Sequence, residues 1–169
     1  GFSFEDGKFR FSVDWKALLP GGYVSDDVLN TMPRLPDYWD VLESTREKTQ
    51  FCLVTAPARH FLNSSFTETK TSRRLEGHPC VMIHPLDAYE CNIADGSVCQ
   101  IGNSRGQILI QAKYFEGVKR GVLVVESLWP NKSYIGGIGV NSLTGADPVA
   151  PVGGVAFHDN AVWIKAHDG

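Results

Sequence analysis

The chain has 169 residues, of which 43% are hydrophobic and 21% charged, and its formal net charge is −3. This length and apolar content suit one ordinary domain with an appendage and allow a sizeable core. The mildly acidic balance gives no reason to expect binding to nucleic acid or to an anionic membrane surface, and no apolar stretch approaches the roughly 20 residues that span a bilayer.

The first 49 residues predict a hairpin followed by a linker. Aromatic and polar residues alternate on both sides of Asp6-Gly7, and Asp-Gly favours the positive φ angles of a two-residue turn. Pro33 and Pro36 oppose regular strand pairing within residues 20–48. We therefore expect residues 1–49 to be a hairpin and linker, either a small terminal hairpin or the end of a preceding domain, and residues 50–169 to be a domain of their own.

From residue 50 onward, short apolar runs alternate with turn signals, which is typical of a β-rich fold. The runs predict strands at 51–57, 80–84, 97–103, 107–115, 122–127 and 161–166. Pro85 opens a short helix, Asn92 suits its left-handed cap, and Asp95-Gly96 and Ser104-Arg105-Gly106 suit turns. Residues 58–79 and 129–151 read as long polar loops. This order of elements predicts a β-barrel crossed by long loops.

The polar stretch that follows the first predicted strand, TAPARHFLNSS, is the main candidate for a binding loop. Its hydroxyl, amide, imidazole and guanidinium groups are the donors that hold phosphates when they converge. These donors are Thr55, Arg59, His60, Asn63, Ser64 and Ser65. A solvated polar loop fits the same residues. His158, just before the last predicted strand, is a further candidate donor.

Other motifs point away from catalysis by this chain. The sequence has no GxGxxG or P-loop pattern, no GxSxG nucleophile elbow and no HExxH zinc pattern. His84 and Asp87 suit the entry to the short helix, where a carboxylate complements the helix dipole. The four cysteines lie in or beside apolar runs without CxxC spacing, which predicts reduced thiols rather than disulfides or a metal site and favours an intracellular compartment.

The order of these pieces resembles the C-terminal dinucleotide-binding domain of molybdopterin oxidoreductases of the dimethyl sulfoxide reductase type. The resemblance covers about residues 50–166, and His84 and Asn92 depart from it, since the family usually has Asn and Gly there. The motifs that carry it are, in chain order, Thr55, Arg59, His60 and Asn63; His84-Pro85-Leu86-Asp87-Ala88; Asn92-Ile93-Ala94-Asp95-Gly96; Arg105-Gly106; Gly121-Val122; Trp129-Pro130; Asn141-Ser142-Leu143-Thr144; Asp147-Pro148; and Phe157.

The resemblance implies a double-psi β-barrel of the aspartate-decarboxylase type, mainly β with short helices. It implies binding of one molybdopterin guanine dinucleotide of a bis(molybdopterin guanine dinucleotide) cofactor, bis-MGD. The residues that would line the dinucleotide are Thr55, Arg59, His60, Asn63, Ser64 and Ser65, whereas Asn141 and His158 would reach the pterin or phosphate side. No residue of this chain is expected to be catalytic or to bind the metal.

The same resemblance implies a parent enzyme with molybdenum or tungsten, related to formate dehydrogenases, nitrate reductases or S-/N-oxide reductases. The expected partners are the remaining domains of that parent and its iron–sulfur or electron-transfer subunits, without nucleic acid or membrane contact. The expected location is the cytoplasm, or the periplasm after export of the folded parent.

Two other functions fit a double-psi barrel. A non-catalytic recognition module, as in certain unfoldases, is disfavoured by the absence of long helices and by the Asn-x-Leu-Thr segment at 141–144. A self-processing decarboxylase needs a Gly-Ser cleavage site, and Gly96-Ser97 is such a dipeptide, but it lies at a predicted turn.

Overall fold

The computed structural model describes residues 1–18, 25–35, 43, 50–145, 148–149, 154–155, 157–158 and 160–167. The chain divides into two units, Gly1–Val41 with Ala146–Ala156 and Leu42–Gly145 with Phe157–Gly169. The predicted domain boundary after residue 49 falls beside residues 44–49, which lie outside the described residues, and it stays a prediction.

Six strands of the second unit close into a barrel. The strands are β1 (Phe51–Ala56), β2 (Cys80–Ile83), β3 (Val98–Gly102), β4 (Gln107–Tyr114), β5 (Val122–Glu126) and β8 (Asn160–Ala166). Their order around the barrel is β1-β5-β2-β4-β3-β8. The predicted strands are all confirmed, with ends that differ by a few residues.

The barrel repeats its neighbour relations between its two halves. The β1–β5 and β2–β4 contacts are parallel, and the other four are antiparallel. If the six strands are numbered 1 to 6 in chain order, strands 1, 2 and 3 can be exchanged with strands 4, 5 and 6, respectively. The exchange gives the same six pairs of neighbouring strands. Parallel neighbours need a crossover connection, and each of the two parallel pairs joins a strand of the first half to a strand of the second half. The predicted fold class, a mainly β double-psi β-barrel with short helices, is confirmed.

The core of the second unit lies inside the barrel. Alternate residues of each strand point to the same face, and β4 follows this rule with inward residues at every second position. The strand side chains without exposed surface are Leu53, Val81, Ile83, Cys99, Ile101, Leu123 and Val125. Burial of such aliphatic groups, at about 1.5–3 kcal/mol each, is the main stabilising term of the barrel.

The short helix after β2, α4 (Pro85–Glu90), begins and ends as the sequence indicates. His84 is its N-cap, and the His84 Nδ1 atom accepts the Leu86 N–H at 3.2 Å. Asn92, just beyond the helix, has a φ of 55°, and Gly96 in the following turn has a φ of 73°. The local predictions from residues 84 to 96 are therefore confirmed.

The prediction of an uninterrupted loop over 58–79 is wrong, because residues 70–76 form a helix, α3 (Lys70–Glu76). No residue of α3 is buried, so its sequence, KTSRRLE, lacks the apolar stripe by which an amphipathic helix is detected. The second predicted loop, 129–151, contains two short 3-10 turns, Asn131–Ser133 and Val140–Leu143, and the two-residue strand Pro148–Val149.

The first unit contains the helices α1 (Trp15–Leu18) and α2 (Asp26–Thr31) and a two-strand ladder of β6 (Pro148–Val149) and β7 (Gly154–Val155). The predicted hairpin over 1–14 is wrong. Its turn is present, since Gly7 has a φ of 64° and donates its N–H to the Phe4 carbonyl at 2.8 Å. However, no β ladder extends from it in residues 1–18. The phenylalanine rings contact one another instead, as Phe2 does Phe9 at 5.3 Å between centroids.

The four cysteines are free thiols, as predicted. Cys99 is fully buried in β3, and desolvation raises the pKa of its thiol to about 12. None of the helices among the described residues has the length and apolar character of a membrane span.

Candidate functional site

The carboxyl end of β1 brings two of the predicted site residues together. The Thr55 hydroxyl oxygen lies 3.2 Å from His158 Nδ1, across 103 residues of sequence. The cause is the antiparallel pairing of β1 with β8, in which Leu53 faces Asn160. Thr55 lies two residues after Leu53, and His158 lies two residues before Asn160. The same register therefore places Thr55 opposite His158, where cross-strand side chains meet. His158 is exposed and Thr55 is half-buried at this end of the barrel.

The loop that continues from Thr55 is anchored at its base and exposed at its tip. Phe61 is buried and packs edge-on against Trp129, with 4.7 Å between ring centroids. Leu62 and Ser65 exchange two backbone hydrogen bonds, Leu62 N–H to the Ser65 carbonyl at 3.2 Å and Ser65 N–H to the Leu62 carbonyl at 2.8 Å. This tight turn presents Asn63 and Ser64 to solvent.

Unfavourable backbone conformations concentrate at this loop. Of the four non-glycine residues with positive φ in the described part of the chain, Asn63 (51°) and Phe66 (68°) lie in the loop. A third, Ser127 (70°), bonds to it, since its hydroxyl donates to the Asn63 carbonyl at 3.3 Å. Such conformations cost of order 1–3 kcal/mol each and cluster at ligand-binding sites. The strain therefore marks the loop as a functional candidate independently of its side chains.

The chemistry of the loop fits a phosphate-containing ligand. Arg59 is exposed and has no carboxylate partner within the described part of the chain, whereas Arg10, Arg73, Arg105 and Arg120 are each ion-paired. His60 is exposed, and its backbone N–H donates to the Glu76 carboxylate. Asn63, Ser64 and Ser65 are exposed as well. The donor set thus combines one available guanidinium with neutral amide and hydroxyl groups, which suits a diphosphate joined to polar rings.

Asn141 stands apart from this group in the contacts that the structure shows. It lies exposed in the 3-10 turn Val140–Leu143. Its carbonyl accepts the Thr144 N–H at 3.4 Å and the Thr144 hydroxyl at 3.1 Å. No hydrogen bond joins its side chain to Thr55 or His158 among the described residues. Its place in the site stays a prediction.

Sequence reasoning did not find Ser127, which supports the loop from beneath. Ser127 is buried, its N–H donates to the Ala56 carbonyl at 2.8 Å, and its positive φ turns the chain away from β5. A serine after an apolar strand gives no local sign of left-handed backbone, since only Gly, Asn and Asp signal it. Within the described residues, no three His, Cys, Asp or Glu side chains lie close enough to hold a metal ion.

The fold and this rim define a class of protein: a double-psi β-barrel that presents an exposed, donor-rich loop after its first strand. Residues 51–162 match the family of the molydopterin dinucleotide binding domain. The chain belongs to that family, and the resemblance noted in its sequence is confirmed.

Two proteins of similar sequence agree with this family assignment. The chain is 35% identical over 134 residues to the "Probable oxidoreductase YoaE" of Bacillus subtilis, covering 79% of this chain and 19% of that protein. It is 44% identical over 61 residues to the "Dimethyl sulfoxide/trimethylamine N-oxide reductase" of Rhodobacter capsulatus, covering 35% and 7%. The chain thus spans about a fifth or less of these relatives.

A solved structure shows the same fold. The acetylene hydratase of Pelobacter acetylenicus superposes with a TM-score of 0.66 at 14% identity, covering 79% of this chain and 21% of that one. At this identity the similarity concerns the fold alone.

Proposed function

We propose that this chain holds one molybdopterin guanine dinucleotide of a bis-MGD cofactor, as the C-terminal domain of a larger molybdenum or tungsten oxidoreductase. The observation that carries the proposal is the contact of Thr55 with His158, 3.2 Å apart at the start of the exposed loop. Two residues selected as ligand donors from distant parts of the sequence meet there, beside a loop whose backbone is strained.

Each predicted site residue has a role that its chemistry supports. Arg59 supplies positive charge for the diphosphate, and the amide and hydroxyls of Asn63, Ser64 and Ser65 supply neutral donors for phosphate oxygens or the guanine edge. His60 adds an exposed imidazole beside them. Thr55 orients His158, which with Asn141 would contact the pterin or phosphate side. Such a site needs few charged side chains, because several neutral donors form hydrogen bonds to the diphosphate oxygens.

The chemistry of the parent belongs to other domains in this proposal. When bound, the cofactor would supply a redox-active metal, and this chain would contribute binding and orientation only. Because the relatives are about five or more times longer than the matched segment, we propose the remaining domains of the parent as the first partners, with iron–sulfur or electron-transfer subunits beyond them. We propose S- or N-oxides, nitrate or formate as the substrate class, and the cytoplasm, or the periplasm after folded export, as the location.

A titration followed by ¹H–¹⁵N correlation spectra tests the binding proposal on this chain. GDP carries the guanine and diphosphate of the dinucleotide, and ADP is the control for the base. We expect saturable shifts confined to residues 55–65, 141 and 158, with GDP bound more tightly than ADP. Shifts elsewhere, or equal binding of ADP, would contradict the assigned site.

A double variant tests the donors themselves. Asn63→Ala with Ser64→Ala removes two side-chain donors and should weaken GDP binding about tenfold, at 0.5–1.5 kcal/mol for each lost hydrogen bond, without loss of the cooperative thermal transition. The matched control is Thr69→Ala with Thr71→Ala, which removes two exposed hydroxyls nearby and should leave GDP binding unchanged. Equal effects of the two double variants would show that the loop donors are not specific.

A further inference from the structure

The side chain of Arg105, at the turn between β3 and β4, connects segments that are far apart in sequence. Its Nε donates to the Leu143 carbonyl at 2.9 Å. Its Nη1 and Nη2 donate to the two carboxylate oxygens of Glu43 at 2.6 and 3.1 Å, and Nη2 also donates to Asn160 Oδ1 at 3.2 Å. Because a guanidinium has five N–H donors in a fixed planar fork, these bonds hold the group in one orientation.

Asn160 extends these connections at the start of β8. It is 1% exposed. Its Oδ1 also accepts the Gly145 N–H at 2.9 Å, and its Nδ2 donates to the Phe157 carbonyl at 2.6 Å. A buried amide with its donor and acceptor both engaged fixes the backbone that it contacts, since a loss of either bond would leave a polar group unpaired.

Asn103 completes the set on the other side of the turn. Its Nδ2 donates to the Leu143 carbonyl at 2.8 Å, and its Oδ1 accepts the Arg105 N–H at 2.9 Å. A Cβ at Gly106 would lie 3.3 Å from the Ser142 carbonyl oxygen, so the turn passes close to the 140–145 segment. We call Arg105, Glu43, Asn103 and Asn160 the Arg105 hub.

The hub forms hydrogen bonds to two segments that contain predicted site residues. It binds the 140–145 segment at the Leu143 carbonyl and the Gly145 N–H, and Asn141 lies in that segment. It binds the corner before β8 at the Phe157 carbonyl, and His158 is the next residue. The side chains of Asn141 and His158 are exposed and take no part in the hub.

The Arg105 guanidinium is engaged within the protein and is poorly placed to bind phosphate itself. Glu43 neutralises it through a two-pronged ion pair, and Glu43 Oε2 also accepts the Ala161 N–H at 2.8 Å. Recruiting Arg105 to a ligand would break a charge-assisted pair and release the Leu143 carbonyl. Arg59, by contrast, has no such partner among the residues that the structure describes.

We propose that Arg105, held by Glu43 and Asn160, is a positioning residue that sets Asn141 and His158 in place for the dinucleotide. The inference rests on the proposed function for the identity of the ligand. The hold on the two segments does not depend on that identity and can be measured without ligand.

Three variants test the proposal. Arg105→Lys keeps the charge and removes the planar fork. Glu43→Gln keeps the shape of its side chain and removes the negative charge that faces Arg105. Arg120→Lys is the matched control, because Arg120 is also paired with two carboxylates, those of Asp87 and Glu90, at another part of the barrel.

Amide hydrogen exchange gives the first readout. In Arg105→Lys we expect the Gly145 amide to exchange about tenfold faster, because networked hydrogen bonds weaken together, with a smaller increase in Glu43→Gln and none in Arg120→Lys. Amides in the middle of β1 and β5 should be unchanged in all three variants, which shows that the barrel is folded. Unchanged exchange at Gly145 in both hub variants would overturn the proposal.

GDP affinity gives the second readout and separates positioning from direct contact. A positioning role predicts weaker GDP binding in Arg105→Lys, by about tenfold, and weaker binding in Glu43→Gln as well. A direct phosphate contact predicts tighter binding in Glu43→Gln, because the guanidinium would lose its internal partner. Tighter binding there, or wild-type affinity in Arg105→Lys despite faster exchange, would overturn the proposal. Failure of the wild-type chain to bind GDP would instead refute the proposed function, while the exchange measurement would still decide whether the hub holds the two segments.

Discussion

Replacement of Asp87 should test how α4 is attached to the barrel. Two carboxylates contact Arg120: Asp87 Oδ1 accepts its Nε at 2.5 Å, and Glu90 Oε1 accepts its Nη2 at 2.7 Å. The Asp87 side chain is 5% exposed and the Glu90 side chain 64%. Among the contacts of the described residues, Asp87 but not Glu90 has a second acceptor role, since Asp87 Oδ2 accepts the Gly121 N–H at 2.8 Å. The two residues form a matched pair for mutation.

The expected magnitudes follow from these contacts. Asp87→Ala leaves the Gly121 N–H without its charged acceptor, and a hydrogen bond to a charged group contributes about 1.5–3 kcal/mol. The full 3–5 kcal/mol cost of breaking a buried ion pair does not apply, because Arg120 is 47% exposed and can return to water. We expect Asp87→Ala to lower the free energy of unfolding by about 2–3 kcal/mol. Glu90→Ala should change it little, since exposed ion pairs contribute little to stability.

Urea denaturation followed by tryptophan fluorescence is the assay. Asp87→Ala should lower the midpoint at an unchanged m-value, and in thermal unfolding the loss corresponds to a Tm lower by roughly 5–10 °C for a chain of this size. Equal midpoints for Asp87→Ala and Glu90→Ala would refute the reasoning, because burial and the Gly121 bond would then contribute nothing.

Three further predictions concern a turn, a thiol and the hub. Gly96 has a φ of 73°, and an added Cβ would meet the Gln111 side-chain nitrogen at 4.0 Å, which is ordinary contact. Gly96→Val should therefore lower the free energy of unfolding by about 2 kcal/mol through backbone strain alone. A urea midpoint equal to that of wild type would contradict this. Burial raises the pKa of the Cys99 thiol to about 12, so this thiol should resist iodoacetamide at about pH 8 in the folded chain and be labelled after the half-buried Cys91. Labelling of Cys99 before Cys91 in a mass-spectrometric time course would show the core to be open. Partial burial acts to raise the pKa of Glu43, but the Arg105 guanidinium and the Ala161 N–H outweigh it and lower that pKa. Ionised Glu43 thus contributes its full stability above the ordinary glutamate pKa, and this stability is lost as the pH falls through the lowered pKa. The difference in unfolding free energy between wild type and Glu43→Gln should therefore shrink from about pH 6 to about pH 3. A constant difference would contradict the prediction.

The predictions that succeeded from sequence depend on residues close together in the chain. The Asn92 cap, the Gly96 turn and the Pro85 helix start each follow from the conformations that one or two residue types permit. The strands were detectable because short apolar runs lay between such turns. The family resemblance also needed only the order of these local motifs.

The predictions that failed lacked either a packing signal or a partner. The helix α3 has no buried face, so its residues showed no periodicity. The aromatic residues around Asp6-Gly7 suggested paired strands, but a two-stranded hairpin by itself is marginal in water, and no ladder forms among residues 1–18. In the second case the turn forms, but the flanking residues within 1–18 do not pair as strands.

By itself, the sequence determined the six barrel strands, the turns of that barrel, the family and the donor groups offered by residues 55–65, since each depends on neighbours along the chain. Only the tertiary structure decided which donors meet and what holds them. The contact of Thr55 with His158 spans 103 residues, and those of Arg105 with Asn160 and Glu43 span 55 and 62. No local pattern specifies such pairs, because the segments that they join are distant in sequence and meet only when the chain has folded.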